Sequence, residues 1–341
     1  MDQDEVKLNH SSNVKLSIII VSFNTREMIL ACLRSIEVQT RRTSYEIIVV
    51  DNMSTDGSAE AIRREFPTVR LMALTENLGF AGANNLAAAS ARGRQILLLN
   101  PDTIILDGAI DRLVAFSNDN RSSRVWGGRT VFGDGSLNPG SCWRKLTVWN
   151  LLCWSLGLAF LAPNSPIFNS IAYGGWDRST VRHVDIVAGC LLLIDREFWN
   201  QLGGFDPAFF MYGEEADLCE RARQVGAHPI VTPAATIVHY GGASETSSVD
   251  KAAKLFRGHV TFINRHWSPP ARVLGRALLL LCPLIRAYGY RLAAHATGRA
   301  NLTDKADSWR AVWKCRHAWI GGYAATPTEL GPALHRERQQ V

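Results

Sequence analysis

The acidic stretch between positions 209 and 223 is the part of this chain best suited to acid–base chemistry. Its sequence, FFMYGEEADLCERAR, places Glu214 and Glu215 after a Tyr-Gly turn and at the predicted start of an amphipathic helix. Carboxylates are favoured there because the free N–H groups of a first helical turn attract negative charge. A helix start is also a place where a general base can be held rigidly beside a substrate. The pair is therefore either catalytic or an ordinary acidic first turn.

A second carboxylate, Asp51, follows the apolar run EIIVV and begins the sequence DNMSTDGS. Asp56 and Gly57 in that sequence are typical of a turn, and Ser58 is predicted to cap a helix. Asp51 is not needed for either role. A carboxylate at the end of a strand can accept hydrogen bonds from a nucleobase or a ribose, so Asp51 is a candidate ligand-binding residue.

The sequence Asn100-Pro-Asp102 presents a carboxylate on a proline-stiffened turn after another apolar run. Such a carboxylate suits Mg²⁺ or Mn²⁺, which takes its other ligands from water and substrate phosphates. The alternative is an Asx turn that ends a strand. His239, which precedes a glycine pair, is a candidate second metal ligand or phosphate donor, or a histidine with a purely structural role.

Gly79 and Gly82, in ENLGFAGANN, fall at the start of a predicted helix of small residues. Glycines there let backbone N–H groups approach a phosphate, or simply permit close packing. The spacing is not the dinucleotide-binding fingerprint, which follows the first strand directly. Here the first turn, SFNTRE, contains no glycine, which argues against a nicotinamide-dependent oxidoreductase.

The elements that must position these residues alternate between strands and helices over the first hundred residues. This alternation predicts an open, mostly parallel α/β sheet with helices on both faces. The predicted strands are 16–22, 46–50, 69–73 and 95–99, and the predicted helices are 25–38, with Asn24 or Thr25 as its cap, 58–66 and 81–91. Ligands bind beyond the carboxyl ends of such strands, so the polar residues after the first, second and fourth strands imply one binding site.

Later elements are less regular. The sequence predicts strands at 125–131, 183–194, 228–231 and 236–239, with the acidic helix between the second and the third. From residue 244 onward it predicts helices, with a joint at Pro269–Pro270. Trp143 and Trp176 could stack on a ligand ring, although most tryptophans pack in a core.

The net charge of +6 hides an asymmetry along the chain. Residues 1–249 carry 22 basic and 26 acidic side chains, whereas residues 250–341 carry 15 and 5. The uncharged run Ala277–Ile285, flanked by arginines, is shorter than a bilayer requires. It suits either a helix in the membrane interface or one packed on the main domain, and Trp149–Ala162 allows the same two interpretations. The basic residues adjoin apolar runs rather than stacking aromatics, so nucleic-acid binding is not expected.

The remaining composition is that of a cytoplasmic protein. The seven cysteines are dispersed and form no CxxC pair, which is typical of apolar filling residues in a reducing compartment. The first residues are polar and acidic, so no signal peptide is expected.

The ordered motifs VSFN, DNMSTDGS, ENLGFAGANN, LLLNPDT, GGFDPAFFMYGEEADLCERAR and HYGGAS resemble those of family 2 glycosyltransferases with the GT-A fold. The likeness is strongest to the bacterial rhamnosyltransferases that build cell-surface polysaccharides. It implies a disordered tail at 1–13, a GT-A catalytic domain at 14–245, and a basic, helical, possibly membrane-associating extension at 246–341. The fold class implied is α/β, with an open, mixed, mostly parallel sheet flanked by helices.

The resemblance also implies roles for individual residues. Glu215 would be the base that deprotonates the acceptor, with Glu214 as the second choice, and Asp102 with His239 would hold Mg²⁺ or Mn²⁺. The residues implied to bind the nucleotide-diphospho sugar are Ser22, Asn24, Asp51, Asn77, Gly79, Asn100 and Asp102. The residues implied to shape the acceptor pocket are Gly189, Trp199, Gly204, Phe205 and Asp206.

The expected reaction inverts the anomeric centre in one displacement. The expected donor is dTDP-rhamnose or a UDP-sugar, and the expected acceptor is a lipid-linked saccharide at the cytoplasmic face of the inner membrane. The chain departs from the family where Glu-Glu replaces the common Glu-Asp, which extends the base by one methylene. Other donor sugars and a non-catalytic role in polysaccharide assembly therefore stay open as alternatives.

Overall fold

The first half of the chain forms a parallel sheet of largely apolar strands. A computed structural model describes residues 14–242 and 247–323 of the 341-residue chain. In chain order the elements of this half are β1 (Leu16–Ser22), α1 (Arg26–Gln39), β2 (Tyr45–Asp51), α2 (Ser58–Glu65), β3 (Arg70–Ala73), α3 (Gly79–Ala89) and β4 (Gln95–Leu99). Strands β1, β2 and β4 are almost completely buried because helices cover both faces of the sheet.

The second half extends this sheet with strands of both directions. The elements that follow β4 are β5 (Thr103–Ile105), α4 (Ala109–Asp119), β6 (Val125–Val131), β7 (Leu137–Asn138), β8 (Cys142–Trp143), α5 (Val148–Ser155), α6 (Leu158–Leu161), β9 (Arg182–His183), β10 (Ile186–Val187), β11 (Leu191–Asp195), α7 (Arg196–Leu202), α8 (Glu214–Gln224) and β12 (Ile230–His239). The strand order in the sheet is β3-β2-β1-β4-β11-β6-β12-β5, with β11 antiparallel to β4 and to β6. The sheet is therefore mixed, with a parallel half at β3 to β4, as expected.

Most predicted elements of the first half are confirmed within two residues. Three details of the prediction, two of them in the second half, were wrong. The single strand predicted at 183–194 is three short strands, because β10 leaves the main sheet to pair with β8. The two strands predicted at 228–231 and 236–239 are one strand with a register shift after Val231. Ser58 does not cap α2; Gly57 holds that position, and the Asp56 carboxylate accepts the Ser58 N–H instead.

Three helices follow the sheet and share an apolar core with α5. They are α9 (Ser248–His266), α10 (Pro269–Thr297) and α11 (Ala300–Lys314), and the predicted Pro269–Pro270 joint is where α10 begins. Their buried side chains, Phe256, Ile263, Leu279 and Val312 among them, pack with Leu151 of α5 and with Trp319, which follows α11. The predicted boundary near residue 245 and the predicted tail at 1–13 lie outside the described residues, so this division of the chain stays a prediction.

Helix α10 is longer than the apolar run within it suggested. By length and composition alone it could cross a membrane, and only 28% of its most apolar stretch is buried in the protein. Its buried positions, which include Gly275, Leu279 and Cys282, face the neighbouring helices. The helix thus has one packed face and one apolar face in contact with solvent.

Helix α9 reaches the acidic helix through a close backbone approach. A Cβ atom on Gly258 would lie 2.1 Å from the carbonyl oxygen of Tyr212, two residues before Glu214. We expect Gly258→Ala to lower the free energy of unfolding by about 1–3 kcal/mol, because the backbone at Tyr212 would have to move.

The matched control is Gly289→Ala, a second glycine within a helix, which has no atom within 4 Å of its added Cβ. This change should stabilise the protein by up to about 1 kcal/mol through helix propensity. Urea unfolding of both variants measures the difference. Equal effects would show that the approach at Gly258 is not tight.

Candidate active site

The two carboxylates that begin α8 line a cleft with a volume of about 680 Å³. The turn into the helix requires left-handed backbone at Tyr212 (φ 65°) and Gly213 (φ 99°), and glycine meets the second of these most easily. Glu214 is only 4% exposed. The Oε2 atoms of Glu214 and Glu215 are both buried and have no hydrogen-bond partner among the described residues. Both acids therefore keep acceptor capacity for a ligand.

The two carboxylates differ in how easily they ionise. Burial raises the pKa of Glu214 well above its ordinary value of 4.5, and the adjacent Glu215 carboxylate raises it further. Burial also raises the pKa of Glu215, but backbone hydrogen bonds and the Glu214 carboxyl oppose that rise. Like charges this close cannot easily both ionise. Glu215 is thus the member of the pair that carries the negative charge first.

A buried ion-pair network fixes the position of α8. Asp217 is 1% exposed, and its Oδ2 pairs with Arg221 Nη2 at 2.7 Å while its Oδ1 contacts His266 Nε2 at 2.8 Å. Arg221 also donates to the carbonyl oxygens of Leu202 and Gly204. Burial alone would raise the pKa of Asp217, and the His266 and Arg221 contacts hold it below its ordinary value. The network ties α8 to the loop before it and to α9.

The Asn100-Pro-Asp102 turn meets the end of β12 at another part of the same cleft. Asp102 Oδ1 lies 3.4 Å from His239 Nε2, and its Oδ2 accepts the Gly241 N–H at 2.9 Å. The Asn100 side chain also contacts His239 Nε2, at 3.3 Å. Asn100, His239 and Gly241 line the cleft, whereas Asp102 is buried directly behind them. The structure thus brings both predicted metal ligands together.

The charges in this turn support one another. Burial alone would lower the pKa of His239, but Cys190 and Asp102 outweigh it and raise the value to about 10. Burial alone would raise the pKa of Asp102, and His239 holds it below 3.8. A divalent cation would have to displace the His239 proton, after which the carboxylate and the neutral imidazole form a compact O/N donor pair that phosphate and water would complete. No group of three or more Asp, Glu, His or Cys side chains within 14–242 and 247–323 offers a full protein cage.

The predicted donor residues form the adjoining rim, at the ends of β1 and β2. Asn24 Oδ1 accepts the Thr55 N–H, and the Ser22 hydroxyl contacts Thr25 Oγ1. Asp51 is 2% exposed; its Oδ1 accepts the Ser54 N–H, and its buried Oδ2 has no partner in the described chain. That free oxygen is the strongest sign of a ligand on this rim.

Asn77 and Gly79 build the turn before α3. Asn77 Oδ1 accepts from the Asn52 side chain and from the Gly79 N–H. Gly79 has φ 71°, and a Cβ there would meet the Phe210 carbonyl oxygen at 2.3 Å. Phe80 N–H donates to the same oxygen. Gly79 therefore serves close packing against the loop that leads to α8, and a donor contact at this turn stays a prediction.

The predicted acceptor residues divide into one cleft residue and a set behind it. Gly189 lines the cleft beside Phe80. Trp199 and Phe205 are buried and pack edge to face at 5.0 Å, and a Cβ on Gly204 would touch the Trp199 ring. Asp206 pairs with Arg265 of α9 at 2.8 Å. These four residues can shape the pocket only indirectly, because their contacts are with the protein.

The cleft is also lined by four residues for which the sequence analysis gave no role or only a general one. Trp143 lines the cleft, as suggested for a stacking tryptophan, whereas Trp176 does not. Arg144 and Lys251 add positive charge to the lining. His259 also lines it; its buried Nδ1 has no hydrogen-bond partner within the described ranges, and burial lowers the pKa of this histidine to about 4. Only tertiary packing brings these residues together, so no local spacing could have identified them.

Comparisons with known proteins decide the family. The model of "Glycosyl transferase family 2" matches residues 17–180. An N-acetylglucosaminyl-diphospho-decaprenol L-rhamnosyltransferase of Mycobacterium tuberculosis is 26% identical over 284 residues, which cover 78% of this chain and 91% of that protein. Together the two matches support a glycosyltransferase of family 2. They confirm the resemblance inferred from the motifs, including its likeness to rhamnosyltransferases.

Other similar proteins extend the comparison with this glycosyltransferase. The O-antigen biosynthesis protein RfbC of Myxococcus xanthus is 25% identical over 75% of this chain, but the match covers only 19% of that larger protein. A Pyrobaculum calidifontis mannosyltransferase, solved with GDP-Man and Mn²⁺, superposes with a TM-score of 0.53 over 91% of this chain and 88% of its own, at 20% identity. A second neighbour, GalNAc-T7 solved with UDP, GalNAc and Mn²⁺, superposes with a TM-score of 0.54 over 93% of this chain and 59% of its own, at 15% identity. These likenesses confirm the GT-A fold.

The glycosyltransferase should depend strongly on Asp217 for stability. We expect Asp217→Asn to cost about 3–5 kcal/mol, because it leaves Arg221 and His266 without their buried counter-charge. The lowered pKa of Asp217 means that its contribution is present above the ordinary value of 3.8 and is lost as pH falls through the native value. The unfolding curves of the wild type and of Asp217→Asn should therefore converge in acid.

The control for that variant is Asp307→Asn, which breaks an exposed ion pair with Arg291. It should change stability by no more than about 1 kcal/mol. Similar losses in the two variants would contradict a special role for the buried network.

The glycosyltransferase should also gain stability in alkali when one of its paired carboxylates is removed. The pKa of Glu214 is raised, so the wild type loses stability as pH rises through the native value. Glu214→Gln does not titrate, and its advantage should grow from pH values near 4.5 toward alkaline buffer. Glu60→Gln removes an exposed carboxylate on α2 and is the matched control for the loss of one acidic side chain. Parallel pH profiles for Glu214→Gln and wild type would contradict the prediction.

Proposed function

We propose that this family 2 glycosyltransferase transfers a sugar from a nucleotide-diphospho donor to a hydroxyl of a lipid-linked saccharide, with inversion at the anomeric carbon. The observation that carries the proposal is the pair of carboxylates Glu214 and Glu215, each with one buried oxygen that has no partner in the described chain, in the same cleft as Asn100 and His239. A base and a candidate diphosphate site thus share one space. The family match supports this chemistry.

Glu215 is the proposed base. Its carboxylate accepts the proton of the acceptor hydroxyl as that oxygen bonds to the anomeric carbon, and the bond from this carbon to the diphosphate breaks. Glu214, with the higher pKa, stays protonated and keeps the pair at a single negative charge. The Asp217 network holds both carboxylates in position.

The donor is proposed to lie across the rim and the Asn100 turn. The free Oδ2 of Asp51 is available to a hydroxyl or N–H group of the nucleoside. Asp102 and His239 are the proposed ligands of Mg²⁺ or Mn²⁺, which would neutralise charge on the leaving diphosphate when bound. A solved structural neighbour contains Mn²⁺ with a sugar nucleotide, which supports a divalent cation.

L-rhamnose from dTDP-rhamnose is the proposed donor sugar, supported by the 26% identical rhamnosyltransferase. The same relative acts, by its name, on a diphospho-decaprenol sugar, which supports a lipid-linked acceptor. Arg144 and Lys251 provide cations in the cleft that suit an acceptor diphosphate. The alternatives are a UDP-hexose donor or a non-catalytic role in polysaccharide assembly.

We also propose a cytoplasmic enzyme that works at the inner face of the membrane. Support comes from the basic C-terminal region and from the apolar, largely exposed face of α10. This arrangement would place the cleft beside a lipid-linked substrate.

The experiment measures nucleoside diphosphate release from dTDP-, UDP- and GDP-sugars with a prenyl-diphosphate sugar acceptor. Glu215→Gln should lower kcat about 10²- to 10⁴-fold, because the amide cannot accept the proton. Glu215→Asp keeps the carboxylate and should retain part of the activity. Chelation should abolish release, and added Mn²⁺ or Mg²⁺ should restore it.

Release from dTDP-rhamnose alone would support the rhamnose assignment, and release from a UDP-hexose alone would replace it. Full activity of Glu215→Gln would move the role of base to another residue. A folded protein that releases nothing from any donor would favour the non-catalytic alternative.

A further inference from the structure

One long segment of the chain carries no charge at all. Residues 146–176 contain no Asp, Glu, Lys, Arg or His, although they lie within a 341-residue chain that is 20% charged. The segment includes α5, α6 and the turns that follow. A charge-free surface segment of this length is unusual in water and typical of an interaction site.

One side of this segment forms the apolar end of the cleft. Leu146, Leu151, Trp154 and Ile171 line the cleft together with Phe262 of α9. These side chains belong to the apolar core that α5 shares with α9, α10 and α11. The cleft therefore has an acidic part at α8 and, next to it, an apolar part that a sugar does not need.

The other side of the segment is exposed and apolar. Phe160 is 70% exposed, Leu161 77% and Ile167 59%. Hydrogen bonds hold these residues in place: Asn169 Nδ2 donates to the Pro163 carbonyl, and the Ser165 hydroxyl accepts the Ile167 and Phe168 N–H groups. The Trp149 indole N–H donates to the Ile167 carbonyl oxygen at 3.1 Å. The exposed apolar side chains are thus presented by an ordered turn.

Helix α10 continues this surface and supplies the matching charge. It is joined to α5 by Arg286, which donates to the Trp154 carbonyl oxygen at 2.9 Å. Its sequence contains four arginines and no acidic residue. Four of its exposed apolar side chains recur seven, seven and four residues apart, on one helical face, at Leu274, Leu281, Tyr288 and Leu292, and Val273 is exposed beside the first of them. Arg291 pairs with Asp307 of α11, so the helix still carries an excess of positive charge. An apolar stripe beside this positive charge suits an anionic bilayer surface.

We propose that residues 156–168 insert into the anionic surface of a bilayer, and that the apolar end of the cleft receives the lipid part of the acceptor directly from it. This inference rests on the proposed function for the identity of the acceptor. The segment connects the two places physically, since α5 lines the cleft and α6 is the exposed continuation of its chain. The lipid thereby reaches Glu215 along an apolar path.

The first test measures binding to phosphatidylcholine vesicles with and without phosphatidylglycerol. Leu161→Glu should weaken binding to the anionic vesicles at least about tenfold, because withdrawal of a leucine side chain from the bilayer costs that much. Val38→Glu, at a 54% exposed position on α1, is the matched control and should bind like wild type. Unchanged binding by Leu161→Glu would overturn the proposal. A change from dimer to monomer in that variant would also overturn it, in favour of a second copy as the occupant.

The second test locates the lipid with a benzophenone-bearing polyprenyl diphosphate in the same vesicles. Labelled peptides should come from residues 146–172 and from α9, and labelling elsewhere would overturn the lipid site. Leu161→Glu should lose activity toward a long-chain vesicle-bound acceptor and keep it toward a water-soluble short-chain one. If the wild-type protein is inactive toward both acceptors, that result counts against the proposed function. Vesicle binding and labelling would still decide this inference.

Discussion

The salt bridge buried between Asp217, Arg221 and His266 is the interaction on which the arrangement of the site depends. Burying a carboxylate is costly unless both oxygens have partners, and here one partner comes from α8 itself and the other from α9. Arg221 extends the network to two backbone carbonyls in the preceding loop. Three separate parts of the chain are thereby fixed around the first turn of α8, where Glu214 and Glu215 lie.

This rigidity allows an otherwise unfavourable pair of acids to persist. Glu214 is buried and Glu215 lies half-buried beside it, and their removal from water raises the pKa of both. A flexible helix end would turn them toward water. The network and the close approach at Gly258 hold them against the cleft. The favourable contacts of Asp217 in one part of α8 thus offset the cost of the two acids at its start. Catalytic sites often show this division of roles.

The sequence was informative where chemistry and local pattern coincide. Buried β-branched runs predicted β1, β2 and β4 almost to the residue, and turn residues predicted which side chains would follow them. Asp102 and His239 were recognised separately, and the sheet brings them together because β12 pairs with β5. The roles of Trp199, Phe205 and Asp206 could not be predicted, since their burial and the Arg265 pair depend on how α7 and α9 pack. His259 and the cleft lining from α5 were missed for the same reason.

The partners of Asp217 also have an order in time. Asp217 and Arg221 leave the ribosome together, but His266 follows 49 residues later, and the core that supports α9 is completed only by α11. Domains fold as units during synthesis from the N-terminus. The parallel sheet can therefore form while α8 still lacks its partner from α9. A polypeptide that stops before residue 266 would carry every sequence motif of the family and yet leave its paired acids without the support that makes them a site.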